Sequence, residues 1–241
     1  MCYNIAYMEK RAEKYAQRYK DVIAPEWKPT QLELPISYFQ SGFAFAQVPV
    51  VKHNGIFLFH WGLIPQWVKD EAGAKDIRMK TLNAVGETIF ERASFRKSIA
   101  TKRCIVPVHG FFEWRDFQKA KYPYFIRSTE NEIFSLGAVY EEWLNKATGE
   151  IVNSFSIITT EANPLMEKIH NLKKRMPLIL HQKDEAAWVN PDLPRAEIAE
   201  LIKPFPQEKM EAHTISKDAN STRNNRNVPE ILEPVAYPEL D

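Results

Sequence analysis

Residues 103–114 read RCIVPVHGFFEW, a short apolar run rich in β-branched and aromatic residues, the composition of a buried strand. Comparable runs lie on both sides of it. Upstream, GIFLFHWGLI (55–64) is closed by Pro65; downstream come YPYFIRS (122–128), IFSLGAVYEEW (133–143) and VNSFSIITT (152–160). Five such runs predict a β-rich core. Helices are expected between and around them. Ala12, Tyr15, Ala16, Tyr19 and Val22 recur at helical spacing and predict a helix over 8–22, directly behind Cys2. Others are expected at about 87–99, after Asn163 as N-cap with Pro164 in the first turn, and over 185–189 and 195–202. Pro25, Pro29 and Pro35 make the connection after the first helix irregular.

The chain has 241 residues, enough to bury a full core without staples. With 8 glycines against 16 prolines and no low-complexity linker, one α+β domain over 1–241 is expected, with a mixed, barrel-like β core and peripheral helices. Cys2 and Cys104 are too few for a disulfide framework and point to a reducing compartment. Neither a signal peptide nor an apolar run of membrane-spanning length is present, so a cytoplasmic protein with no membrane partner is expected. A formal charge of +1 excludes a bulk polyanion-binding surface and leaves local clusters: Arg96, Lys97, Lys102 and Arg103; Lys173, Lys174 and Arg175; Lys217, Arg223 and Arg226. Taken alone, each cluster reads as a solvated face.

If Met1 is removed, Cys2 carries a free α-amine and a thiol on adjacent carbons. The two groups titrate near about 8 and 8.5 in model compounds, so both are partly nucleophilic at neutral pH. An aldehyde suits both, since amine attack gives an imine on which the thiol can close to a five-membered thiazolidine. On position alone, Cys2 reads equally as a residue at a frayed terminus. Asn83 in TLNAVGET reads as a cap or turn, Glu113 as a salt-bridged strand residue, and His170 as a histidine whose charged form a helix C-terminus favours. Cys104 reads as buried core.

In order, these stretches form a pattern: Met1-Cys2, Trp61-Gly62-Leu63-Ile64-Pro65, Asn83-Ala84-Val85-Gly86-Glu87, Gly110-Phe111-Phe112-Glu113-Trp114, and His170 ahead of Arg175-Met176-Pro177. The chain resembles the SOS-response-associated peptidase family, whose members look like self-processing proteins that crosslink to abasic sites in single-stranded DNA. The resemblance implies that Cys2 bonds the sugar aldehyde, Glu113 and His170 move protons, and Asn83 holds the N-terminus, with peptidase or lyase chemistry accompanying the crosslink. It implies single-stranded abasic DNA as partner, a monomer, and neither metal nor small-molecule cofactor. Trp67 would stack on a base, against a competing reading as core packing. Arg175, Lys173, Lys174, Ser216, Lys217 and Pro49 would hold the strand. His213, Thr214 and Ser216 resemble a C-terminal strand beside the site. Where the family commonly carries two arginines this chain has Asn4 and Val85, and its five residues between His170 and Met176 add Lys173 and Lys174. Two other readings stand beside this one: a thiol peptidase or amidase acting in trans through Cys2, and a nucleic-acid-binding module without chemistry.

Overall fold

In the computed structural model, which describes residues 2–28 and 33–240, the run 103–114 is two strands in two different sheets. Met1 and Pro29 lie outside the described residues. The division falls at His109 and Gly110. A Cβ on Gly110 would lie 2.2 Å from the Phe125 ring and 2.8 Å from the Ile126 carbonyl oxygen, so glycine alone lets the neighbouring strand close up. His109 fixes the corner: its N–H donates to Ala6 O at 2.8 Å, and its Nδ1 accepts from Met8 N–H at 3.1 Å.

In chain order the elements are β1 (Asn4–Tyr7), α1 (Ala12–Arg18), β2 (Ser37–Ser41), β3 (Gln47–Lys52), β4 (Gly55–Trp61), α2 (Glu71–Arg78), β5 (Asn83–Val85), α3 (Ser98–Thr101), β6 (Arg103–Val108), β7 (Gly110–Phe117), β8 (Ala120–Ser128), β9 (Phe134–Leu144), β10 (Ile151–Glu161), α4 (Pro164–Ile169), β11 (Arg175–Pro177), β12 (Ile179–Leu180), α5 (Glu185–Val189), α6 (Arg195–Leu201) and β13 (Met210–Thr214). Strands β10, β4, β3, β6 and β9 close into a barrel, because β9 pairs back onto β10 from Ile151↔Leu144 to Ile157↔Ala138. The barrel is mixed: β10 runs parallel to β4 at Ser154↔His60 and Phe155↔Trp61, and the other pairings around the ring are antiparallel. Closure removes the exposed edges a flat sheet of these strands would present. Beyond the ring, β10 continues to Glu161, and its far end takes β5 in parallel (Ile157↔Asn83) and β11 antiparallel (Glu161↔Arg175).

The second sheet has the order β13-β8-β7-β1-β2. Trp61, Phe155, Val106 and Leu136 of the barrel share one core cluster with Cys2, Ile5 and Phe111, so the N-terminus is packed between barrel and sheet. The α+β architecture with a barrel-like core is therefore what forms, and Cys104 is buried within the barrel.

Several expectations need correction. The first helix is shorter than 8–22, covering Ala12–Arg18, and a strand separates it from Cys2. Residues 87–99 are not one helix: a 3₁₀ turn at Gly86–Thr88 is followed by successive turns and the short α3. Ile89, Phe95 and Ile99 are buried there, but the backbone N–H groups close separate turns, as from Glu91 to Thr88 O, Phe95 to Arg92 O and Ile99 to Phe95 O, and no unbroken helical ladder forms. Arg103 is not on a solvated face. It is buried, donating to the carbonyls of Ile99, Ala100, Trp188 and Asn190, and burial lowers its pKa to about 10. These contacts tie β6 to the end of α5.

Candidate active site

Strand β1 is held on both sides, Asn4 standing opposite Ser41 of β2 and Phe112 of β7. That register draws the residues before Asn4 toward the Glu113 end of β7. Cys2 is fully buried rather than frayed, and its thiol donates to Asn4 O at 3.8 Å. Its carbonyl oxygen accepts from Asn83 Nδ2 at 2.9 Å, Asn83 being placed by the parallel pairing of β5 on β10. Asn83 Oδ1 is buried and has no hydrogen-bond partner among the described residues. Burial, reinforced by the nearby charge of Glu113, pushes the Cys2 thiol pKa far above its ordinary range. The thiol is therefore held protonated at neutral pH.

Glu113 is buried on β7, one residue from Phe112, with Tyr124 of β8 opposite. Its pKa is raised to about 7, burial being the main cause. His170 ends α4, a helix opened by Asn163, whose Oδ1 accepts from Met166 N–H at 2.9 Å, with Pro164 in the first turn as expected. The imidazole Nδ1 lies 2.9 Å from Arg175 O and 3.3 Å from Arg175 N, and assigning the hydrogen by the shorter contact puts it on Nδ1 and leaves the lone pair of the neutral ring on Nε2. Nε2 stands 3.8 Å from Glu113 Oε2. Burial lowers the His170 pKa to about 4, so the charged form that a helix C-terminus favours is not the form present at neutral pH.

The ordinary order of proton affinities is thus reversed. Near neutrality the carboxyl is poised between its two forms and the imidazole is a neutral base, an assignment that suits proton transfer to and from a reacting group. The pair forms the floor of a cleft of about 450 Å³ whose walls include Tyr3, Trp114, Asp116, Lys121, Leu172, Lys173, Asn220 and Arg226. Cys2 and Asn83 are buried and do not line it.

The residues expected to hold a strand are distributed differently. Lys173 lines the cleft. Arg175 instead forms a bidentate pair with Glu87, both contacts 2.8 Å, and donates to Thr159 O, clamping β11 to the turn after β5. Lys174 pairs with Glu167 at 3.7 Å. Lys217 lies over the rings of Tyr122 and Tyr237 and 3.8 Å from Glu239, while Ser216 caps the following 3₁₀ turn by accepting from Asp218 N–H. Strand β13 stops at Thr214. Trp67 is 55% exposed, not core, and its Nε1 donates to Ala93 O at 3.4 Å; it lies outside the cleft walls. Pro49 is buried in β3 opposite Leu58, so its ring is not offered to the surface. Asn4 is buried and Val85 is exposed. Among the cleft residues the sequence did not single out, Trp114 had a signal in its motif, Arg226 was visible only as charge, and Lys121 at the start of β8 and Asn220 in a 3₁₀ turn had none.

Barrel, sheet and cleft together define a protein that holds its second residue, a cysteine, against a buried acid–base pair. The chain belongs to the SOS response associated peptidase (SRAP) family, whose model matches residues 1–222. It is similar to the abasic site processing protein YoqW of Bacillus subtilis (strain 168), 39% identical over 184 residues covering 76% of this chain and 78% of that one. It is also similar to the abasic site processing protein HMCES of Gallus gallus, at 30% identity over 73% of this chain and 56% of the longer relative. A crystal structure of a Bacteroides thetaiotaomicron protein superposes with a TM-score of 0.89 and 41% identity, covering 98% of this chain and all of that one. A Bordetella bronchiseptica structure shares the fold, with a TM-score of 0.74, 20% identity, and coverage of 89% and 100%.

Proposed function

We propose that this protein processes abasic sites in single-stranded DNA by covalent attachment through Cys2, acting as a monomer in the reducing cytoplasm. The observation that carries the reading is that Glu113, 3.8 Å from His170 with both lining one cleft, is close enough to act electrostatically on the buried Cys2 thiol, whose carbonyl Asn83 holds at 2.9 Å. The names of the similar proteins support it.

Loss of Met1 by hydrolysis of its peptide bond frees the Cys2 amine. In that step water attacks the Met1 carbonyl, Glu113 takes the water's proton and passes it to the departing Cys2 nitrogen, and the buried thiol keeps its own proton. The amine then attacks the C1′ aldehyde of the ring-opened sugar to give a carbinolamine. Glu113, in its acid form, protonates the departing hydroxyl, which leaves as water and yields the imine. The thiol adds to the imine carbon, passing its proton to the ring nitrogen, and the product is a thiazolidine plus one water. Asn83 holds the Cys2 carbonyl and so fixes the direction from which amine and thiol meet the aldehyde. His170 accepts a proton at the sugar oxygen, which favours the open-chain aldehyde, and the same base serves a lyase side reaction by removing the C2′ proton as the 3′ phosphate departs.

Incubation with an abasic single strand should give a gel-shifted species that survives denaturation, and Cys2→Ala should abolish it. An undiminished adduct in that variant overturns the assignment of Cys2. Intact mass of the purified protein tells whether the amine is free.

A further inference from the structure

The loop between His170 and Arg175 is fixed at its base and apolar at its tip. Asn171 clamps the end of β7, its Oδ1 accepting from Asp116 N–H at 3.1 Å and its Nδ2 donating to Asp116 O at 2.8 Å. Lys174 N–H donates to His170 O at 2.8 Å, and Lys174 O accepts from Ala162 N–H at 3.1 Å. Lys174 itself takes a left-handed φ of 48°, a conformation that a non-glycine residue keeps when its surroundings hold it there. Between these anchors Leu172 is 71% exposed, against 61% for Ile151 and 55% for Trp67.

A single exposed leucine is ordinary on a protein surface. This one differs in its place. It lines the same cleft as Glu113 and His170, and its neighbour Lys173 lines that cleft with no carboxylate in ion-pair range among the described residues. Lys121 and Arg226 stand on the same walls. Arg226 is engaged by the Ala219 carbonyl and the Phe39 ring, so Lys173 is the loop's own cation left facing the cleft. An apolar tip beside that cation, over the Glu113–His170 pair, matches a strand in which one base is missing. The gap is apolar, lies between two base faces, and is bordered by phosphates. Apolar side chains set between base steps are a recurring way of opening a stack, and phosphate contacts keep them in register.

We infer that the Asn171–Lys174 loop is a wedge that reads the missing base: Leu172 enters the gap between the flanking bases, and Lys173 takes a phosphate beside it. This rests on the reading of the cleft as an abasic-site pocket, and it assigns the discrimination against intact strands to a loop and not to the covalent step.

The test uses the full chain and two single strands with 2-aminopurine in the same position, one next to an abasic site and one in an intact sequence. With wild-type protein, 2-aminopurine fluorescence should rise on the abasic strand as its stack opens. Leu172→Ala should lose that rise and weaken equilibrium binding to the abasic strand about tenfold, the value of the buried surface removed, while binding to the intact strand changes less than about twofold. Equal weakening on both strands, or a retained rise with unchanged binding, overturns the wedge. The adduct is scored separately on a denaturing gel. Wild-type protein that shows the fluorescence rise and no adduct sinks the covalent reading and supports the wedge, whereas an adduct without the rise does the reverse.

Discussion

Glu113 Oε2 and His170 Nε2 stand 3.8 Å apart with their proton affinities inverted, the carboxyl at about 7 and the imidazole at about 4. Both shifts have burial as their chief cause, and burial disfavours the charged form of each. Desolvation has thus turned the acid into the group that holds the proton and the histidine into the group that lacks it.

Imine formation needs the carboxyl protonated and the amine unprotonated, so single-turnover adduct formation should pass through a maximum between about pH 7 and 8 and fall on the alkaline side as Glu113 loses its proton. Glu113→Gln should remove that falling limb and slow the step by about 10²- to 10⁴-fold. A pH–rate profile that keeps the limb in the Gln variant assigns it to another group.

Stability should respond to the same two groups with opposite signs. The Glu113 pKa is raised from 4.5 to about 7, so its contribution is fully present below pH 4.5 and is lost as pH rises through 7. The His170 pKa is lowered from 6.5 to about 4, so its contribution is present above pH 6.5 and is lost as pH falls through 4. Urea unfolding between pH 4 and 8 should show Glu113→Gln more stable than wild type at the alkaline end by about 1–3 kcal/mol, with the advantage gone at the acid end.

Asn83→Ala removes the donor on the Cys2 carbonyl and should cost about 1–2 kcal/mol of stability. If Asn83 sets the direction of attack, the variant slows adduct formation about 10- to 100-fold while leaving equilibrium binding of the strand nearly unchanged. Loss of binding in proportion to rate would make it a contact for DNA instead.

The two basic side chains Lys173 and Arg175 should separate cleanly. Lys173→Ala should reduce the dependence of log affinity on log salt by about 0.7 for a single strand. Arg175→Ala should leave that slope alone and lower stability by about 1–3 kcal/mol, because its guanidinium is committed to Glu87 and Thr159.

Much of the β core was legible because its strands are short apolar runs bounded by turn residues, as in 55–64 and 103–114. What stayed hidden is long-range. The place of Cys2 depends on β1, a four-residue strand whose partners begin at Ser37 and Gly110, and no local pattern announces burial of that kind. The expected helix at 87–99 failed although composition and apolar spacing there suit one, because the backbone closes in separate turns that the local pattern does not distinguish from a continuous helix. Arg103 and Arg175 read as surface cations because sequence shows a charge and not the carbonyls or carboxylate that engage it. Gathering Asn83, Glu113 and His170 at Cys2 required the order of whole motifs, since each alone has a plain structural explanation. The cleft walls from Lys121, Asn220 and Arg226 come from a strand, a 3₁₀ turn and an irregular segment whose meeting only the folded chain defines.

Strand β1 lies between β7 and β2, with hydrogen-bonded neighbours on both flanks. A tension applied at Cys2 is therefore directed along a strand whose bonds to two neighbours are loaded side by side in shear, instead of being peeled open one after another. A load on the first residues thus reaches an interior strand, flanked on both sides, and not a free edge.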